Sequence, residues 1–86
     1  MSFRVILKPS ANKELAALPT KIQSQVANVL LKLGENPHPP GSIKLKGRAG
    51  YRVRSGDYRI LYVADNPAAV VTILAIGHRR EIYRSP

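Results

Sequence analysis

After a short N-terminal segment, the hydrophobic periodicity of this chain changes from helical to strand-like, and the position of that change limits the folds it can adopt. From Ala11 to Gly34, apolar residues recur every three to four positions, which is typical of the buried face of a helix. From Ile43 onward they alternate with polar residues, as in strands that cover a core on one side. Three prolines and a glycine crowd residues 35–42 and predict an irregular connection. Helices therefore precede most of the strands, an order that favours helices packed against one sheet.

The first part of the chain consists of a strand followed by two helices. Residues 3–8 alternate as a strand, and Ser10 is placed to cap a first short helix. Thr20 and Gln23 form a capping-box pattern at the start of a second, amphipathic helix, which Gly34 is placed to terminate. The apolar positions of both helices predict core side chains rather than a functional site.

Four further strand-like segments follow, separated by turn residues. They span residues 43–46, 51–54, 58–64 and 69–76, and a short final stretch covers 79–84. We therefore expect one α+β domain over residues 1–86, with an N-terminal strand and a helical hairpin packed on a small twisted, mainly antiparallel sheet of about four to five strands. The sequence contains neither a signal-peptide core nor an apolar run near the roughly 20 residues that span a bilayer, so we expect a cytoplasmic protein with no membrane partner.

Basic residues outnumber acidic residues by 14 to 5, and the resulting net charge of +9 is unevenly distributed. Such a field attracts polyanions, and nucleic acid is the commonest of these. A solubilising surface and a surface that meets an acidic protein are the alternatives. The basic residues fall into two clusters, Lys44, Lys46, Arg48, Arg52, Arg54 and Arg59 in the strand-rich part and Arg79, Arg80 and Arg84 near the C-terminus.

Three arginines of the first cluster are candidates for a phosphate site. Alternation places Arg52 and Arg54 on the same face of one strand, and Arg59 lies on the next strand. If the two strands pair as a hairpin, the three guanidinium groups converge on one sheet surface, where each can donate two hydrogen bonds to phosphate oxygens. The alternatives are solvated strand residues or contacts to the acids of a protein partner.

Gly77 follows the most apolar strand and precedes two further candidates, His78 and Tyr83. Histidine changes its charge near neutral pH and can move protons, and tyrosine can donate a proton or stack on an unpaired base. Either side chain is also common as a surface or packing residue. The chain has no cysteine, no histidine and carboxylate set with metal-ligand spacing and no P-loop, so we expect no metal and no cofactor. Any RNA cleavage would then use the ribose 2′-hydroxyl as nucleophile.

Three blocks of the sequence resemble the signature blocks of RelE/ParE toxins. They are KLKG at residues 44–47, YRVRSGDYRILY at residues 51–62 and IGHRREIY at residues 76–83. The resemblance covers essentially the whole chain in one register. It implies a toxin encoded beside an antitoxin that wraps and neutralises it. RelE-like members cut messenger RNA in the ribosomal A site, whereas ParE-like members share the fold, inhibit DNA gyrase and are not nucleases.

The resemblance to the RelE-like branch also implies residue roles. The catalytic positions carried over are Arg52, Arg54, Arg59, Arg79 and Tyr83, with His78 at a position where related toxins place a catalytic histidine. The best-known member has lysines where this chain has Arg52 and Arg54, and one of those lysines is its proposed base. Because arginine does not deprotonate in proteins, we assign the base to His78, with Lys46 in reserve.

The implied partners follow from the same resemblance and from the charge. The ribosome and its messenger RNA would meet Lys44, Lys46, Arg48, Arg80 and Arg84. An antitoxin helix with acidic and apolar faces would complement the +9 surface. Toxin and antitoxin would form a hetero-oligomer that contacts operator DNA through the antitoxin.

Overall fold

A computed structural model of the protein describes residues 2–78 and residue 80. The five strands form one sheet in the order β1-β5-β4-β3-β2. β1 is parallel to β5, and the remaining neighbours are antiparallel. The elements, in chain order, are β1 Arg4–Leu7, α1 Pro9–Ala16, α2 Thr20–Glu35, β2 Ile43–Lys44, β3 Tyr51–Ser55, β4 Tyr58–Asp65 and β5 Val70–His78.

Both helices lie on one face of the sheet and build the core there. Val26 and Leu33 of α2 are fully buried and belong to the same cluster as Ile60, Tyr62 and Ile73 of the sheet. Strand alternation directs the intervening side chains to the other face, which no helix covers in the described part of the chain. The predicted architecture, a helical hairpin on a mainly antiparallel sheet, is confirmed.

The helix starts depend on prolines rather than on the predicted side-chain caps. Pro9 is the first residue of α1, so Ser10 lies inside the first turn and does not cap it. Pro19 precedes α2, and neither Thr20 nor Gln23 makes a capping hydrogen bond. The Gln23 side-chain amide instead donates to two carbonyls around the connection between the helices, at 3.1 and 2.8 Å. Both capping predictions were wrong. In α1, proline occupies the first helical position, where its fixed backbone angle favours the start of a helix. In α2 the N-cap is Pro19, so Thr20 lies one position inside the helix.

Gly34 does not terminate α2, which continues to Glu35. The residue is buried, and a Cβ built there would lie 3.2 Å from the Phe3 carbonyl oxygen and 3.3 Å from Val5 Cγ2. The Phe3 N–H donates to the Gly34 carbonyl at 2.6 Å. Gly34 therefore lies at the close approach of α2 to β1, where a Cβ would make an unusually tight contact, and not at the end of the helix.

The sheet is longer at β5, and shorter at β2, than the sequence predicts. β2 ends at Lys44 instead of residue 46, whereas β5 continues to His78 and passes the end of β1. The part of β5 beyond β1 would leave a backbone edge without a partner. There the Ile76 N–H donates to Oε1 of Glu14 in α1 at 3.0 Å, so the first helix satisfies part of that edge.

In the described ranges, no helix is long and apolar enough to cross a membrane.

Candidate functional site

Arg52, Arg54 and Arg59 lie on the sheet face opposite the helices. Arg54 and Arg59 are Cα partners across the β3–β4 hairpin, whose connecting turn contains Gly56 at φ 60°. Arg52 lies two positions before Arg54 in β3, so its side chain projects from the same face of the sheet. All three line a cavity of about 490 Å³. The structure thus brings the predicted arginines together, and their role in binding phosphate stays a prediction.

The guanidinium group of Arg59 is partly buried. Its Nε and Nη1 atoms are buried and have no hydrogen-bond partner among the described residues. A buried donor without an acceptor costs about 1–3 kcal/mol, and more when the group is charged. No carboxylate lies among the described residues that line the cavity. An anion with several oxygens would satisfy these donors and reduce the repulsion between the guanidinium groups.

Two residues of the loop of residues 36–42, Pro40 and Gly41, also line the cavity, and the sheet holds this loop in place. The Tyr62 hydroxyl donates to the Pro37 carbonyl at 2.6 Å, and Tyr62 itself is fully buried. Burial raises the pKa of Tyr62 above its ordinary value of 10.0, a hydrogen bond with the Ser42 side chain lowers it, and nearby Tyr51 raises it. Tyr51 stacks on Tyr62 at 5.9 Å, and the His38 ring meets Tyr51 edge-on at 4.9 Å. These contacts fasten both ends of the loop to β3 and β4.

A bulge between β4 and β5 determines the side from which His78 projects. Leu74 has no Cα partner in β4, and this extra residue reverses the alternation of β5. Ile76 consequently lies in the core, and His78 shares its parity. Gly77 is the Cα partner of Arg59. The His78 side chain therefore projects from the helix-covered side of the sheet and does not line the arginine cavity.

His78 contacts the end of the β3–β4 hairpin instead. It is the Cα partner of Tyr58, and the two rings meet edge-on at 5.6 Å with an interplanar angle of 82°. The Arg80 N–H donates to Nδ1 of His78 at 3.2 Å.

The remaining predicted residues lie outside the cavity or outside the described part of the chain. Lys44 pairs with Tyr51 and is exposed at the edge strand β2. Lys46 and Arg48 are exposed between β2 and β3, and Arg80 is exposed after β5. The predictions for Arg79, Tyr83 and Arg84 fall on residues that the structure does not describe.

The family model described as "ParE toxin of type II toxin-antitoxin system, parDE" matches residues 5–83. The chain belongs to the RelE/ParE toxins. This finding confirms the family suggested by the three sequence blocks.

Individual RelE/ParE relatives agree with this membership. The chain is 33% identical over 86 residues to Toxin RelG of Mycobacterium tuberculosis, covering 98% of this chain and 99% of that protein. A toxin–antitoxin RelBE complex from the same organism matches with a TM-score of 0.82 and 28% identity, over 94% of this chain and 95% of that one. An archaeal RelE–RelB complex from Pyrococcus horikoshii matches with a TM-score of 0.79 and 26% identity, over 94% and 99%.

Sequence reasoning about this RelE/ParE toxin missed the other side of its cavity. Pro40, Gly41 and Ile43 line the cavity together with the arginines and Val53. One signal was present, because Ile43 would share a face with Arg52 if β2 and β3 paired in the observed register. Nothing local indicated that residues 36–42 fold back against the sheet.

Proposed function

We propose that this toxin is a ribosome-dependent endoribonuclease that cleaves messenger RNA in the A site and so inhibits translation in the cytoplasm. The observation that carries the proposal is the cavity lined by Arg52, Arg54 and Arg59, in which Arg59 has two buried guanidinium nitrogens without a hydrogen-bond partner among the described residues. Three guanidinium groups that line one cavity match the charge and the hydrogen-bonding geometry of a phosphodiester. A purely solubilising surface would not bury such donors.

The proposed reaction needs no metal. The ribose 2′-oxygen attacks the adjacent phosphorus, the bond from phosphorus to the 5′-oxygen breaks, and the products are a 2′,3′-cyclic phosphate and a 5′-hydroxyl. The arginines hold the phosphate and stabilise the charge that accumulates on its oxygens in the transition state. Donors that are already in place supply this stabilisation without reorganisation, and removing one typically costs about 100- to 1000-fold in rate.

Two protons must move in this reaction, and the predicted residues for them are His78 and Tyr83. A base takes the proton of the 2′-hydroxyl, and an acid returns a proton to the departing 5′-oxygen. His78 follows Gly77, the partner of Arg59, and so ends the strand that borders the arginine-bearing hairpin. Its projection from the other side means that RNA would have to reach His78 around the end of β5. Lys46 remains the reserve base, and Arg79 would join the phosphate-binding set.

The proposed partner in the resting state is an antitoxin. The similar structures include RelB–RelE complexes from a bacterium and an archaeon, and this chain carries a net charge of +9. An antitoxin segment with acidic and apolar faces would neutralise that charge in a hetero-oligomer, which would contact operator DNA through the antitoxin. Exposed cations would contact the ribosome and messenger RNA, and they include Lys44, Lys46, Arg48 and Arg80.

The alternative function is inhibition of DNA gyrase without nuclease activity. It is favoured by one observation, the match to a family model that carries the ParE name. In that case the toxin would act through a protein surface, and the arginine cavity would bind acidic side chains of its target.

Primer extension on a defined messenger in a purified translation system, with and without ribosomes, separates these functions. Cuts within codons that require ribosomes are expected, and Arg59→Ala should reduce their rate about 100- to 1000-fold. Lys21→Ala, which removes an exposed cation of α2, is the matched control and should cut normally. Intact messenger together with loss of supercoiling by purified gyrase would replace the proposal with the alternative.

A further inference from the structure

The arginine cavity has an apolar side that the phosphate alone does not explain. Ile43 is 50% exposed and is not among the residues that pack against the core. It is the Cα partner of Arg52, so both side chains leave the same face of the sheet. Pro40 lines the cavity beside it. A half-exposed isoleucine and a proline thus lie next to three cations, where neither contributes to the folded core.

This apolar side is held in a defined position. The loop that carries Pro40 is fastened by the hydrogen bond from the Tyr62 hydroxyl to the Pro37 carbonyl at 2.6 Å. A second hydrogen bond, from the Ser42 N–H to the Pro39 carbonyl at 3.0 Å, closes the turn that ends at β2. Because this part of the loop is already ordered in the free protein, less conformational entropy is lost when a ligand binds against it.

We propose that the cavity is a nucleotide subsite, in which Arg54 and Arg59 bind the phosphate while Pro40 and Ile43 contact the base or ribose of the adjoining nucleoside. The inference rests on the proposed function, since it assumes that the ligand is RNA. The cavity volume of about 490 Å³ falls within the range of roughly 300–1,000 Å³ that is usual for small-molecule sites. A phosphodiester with one nucleoside has the required combination of a charged end and a flat apolar end.

The chemistry of the apolar side also defines the selectivity of the subsite. The side chains of Pro40 and Ile43 offer no hydrogen-bond donor or acceptor. They can favour a nucleoside phosphate over a bare phosphate, but they cannot distinguish bases by their edges. Binding at this position is therefore expected to depend on the presence of a nucleoside and to vary little with the identity of the base.

Binding to the intact toxin, followed by NMR titration or calorimetry, tests the subsite. The probes are inorganic phosphate and a 2′-O-methyl dinucleotide, which presents a phosphodiester but has no 2′-hydroxyl to attack it. Ile43→Ser is expected to weaken binding of the dinucleotide about tenfold, the size expected for losing a small apolar contact, and to leave binding of inorganic phosphate unchanged. Ile43→Leu should restore the affinity. The matched control is Leu31→Ser, which should have no effect. Leu31 lies on α2, is 69% exposed and has a side chain of the same size as isoleucine.

The outcomes separate this inference from the proposed function. Equal affinities of the parent and Ile43→Ser for the dinucleotide, in proteins with the same circular dichroism spectrum, would overturn the subsite even if ribosome-dependent cleavage is found. Loss of dinucleotide affinity in Ile43→Ser, with no cleavage by the parent protein on ribosomes, would support the subsite and reject the nuclease. Equal weakening of phosphate and dinucleotide binding would show that Ile43 acts only by positioning the arginines, and would also overturn the inference.

Discussion

Arg54 and Arg59 lie directly opposite each other across the β3–β4 hairpin, with their side chains on the sheet face opposite the helices. Like charges at directly opposed strand positions destabilise a sheet. Nε and Nη1 of Arg59 are moreover buried without acceptors in the described part of the chain. This arrangement therefore lowers the unfolding free energy of the free protein, and an anion that bridges the two guanidinium groups would raise it again.

Phosphate should stabilise the protein through this pair. At matched ionic strength, replacing chloride with phosphate is expected to raise the melting temperature by several degrees, since about 1 kcal/mol corresponds to roughly 4–8 °C in a domain of this size. Arg59→Ala should lose most of that increase, whereas Lys21→Ala should keep it. Differential scanning calorimetry of the three proteins provides the comparison. An equal increase in all of them would mean that phosphate acts on the protein surface in general.

The hydrogen bond between Tyr62 and Pro37 should be visible in both the stability and its pH dependence. Tyr62→Phe leaves the Pro37 carbonyl without its donor and is expected to cost about 1–3 kcal/mol of unfolding free energy at neutral pH. Burial raises the pKa of Tyr62 in the folded protein, so the folded state keeps the proton longer than the unfolded state does. The resulting stability is complete below the ordinary pKa of about 10 and is lost as pH rises through the raised value.

Urea unfolding of parent and variant between pH 7 and pH 11 measures this effect. The difference in unfolding free energy between the parent and Tyr62→Phe should be constant up to about pH 10 and then shrink. Subtraction of the two curves removes the titration of lysines and of the other tyrosines, which both proteins share. A difference that stays constant to pH 11 would contradict the assignment.

Glu14 should stabilise the end of β5 through its oxygen rather than through its charge. Glu14→Ala removes the acceptor for the Ile76 N–H and is expected to cost about 1 kcal/mol, whereas Glu14→Gln keeps an oxygen at the same position and should cost little. Hydrogen exchange of the Ile76 amide, read by NMR, should accelerate in Glu14→Ala only. Because His78 lies two residues further on, the same variant should also reduce cleavage modestly. Equally fast exchange in both variants would show that the charge matters instead.

Two glycines at positive φ provide a matched test of backbone crowding. Gly50 has φ +114°, and a Cβ there would lie 2.7 Å from the Tyr62 carbonyl oxygen. Gly47 has φ +72° and no heavy atom within 4 Å of the same point. Gly47→Ala should cost about 1 kcal/mol, the ordinary penalty of a left-handed residue. Gly50→Ala should cost clearly more, because backbone must move as well. Chemical denaturation of both variants checks the order, and similar costs would contradict it.

Much of the fold could be predicted because its signals are local. The change from helical to alternating periodicity separates the helical hairpin from the sheet, and the alternation of Arg52 and Arg54 places both on one face. The helix caps were predicted wrongly because two competing local signals, a proline and a polar capping residue, stood next to each other at each start. Gly34 was misassigned because its reason is the contact with β1, which no local pattern contains.

The sequence by itself determined the elements, the family and the set of arginines, because periodicity and motif blocks depend on neighbours a few positions apart. Only the tertiary structure decided how these parts combine. The bulge at Leu74 sets the side from which His78 projects, since one unpaired residue reverses the alternation of the strand. The hydrogen bonds from Tyr62 to Pro37 and from Ile76 to Glu14 join residues 25 and 62 positions apart. Such contacts form only when packing brings distant segments together, and the one from Tyr62 to Pro37 holds the loop that carries part of the apolar side of the cavity.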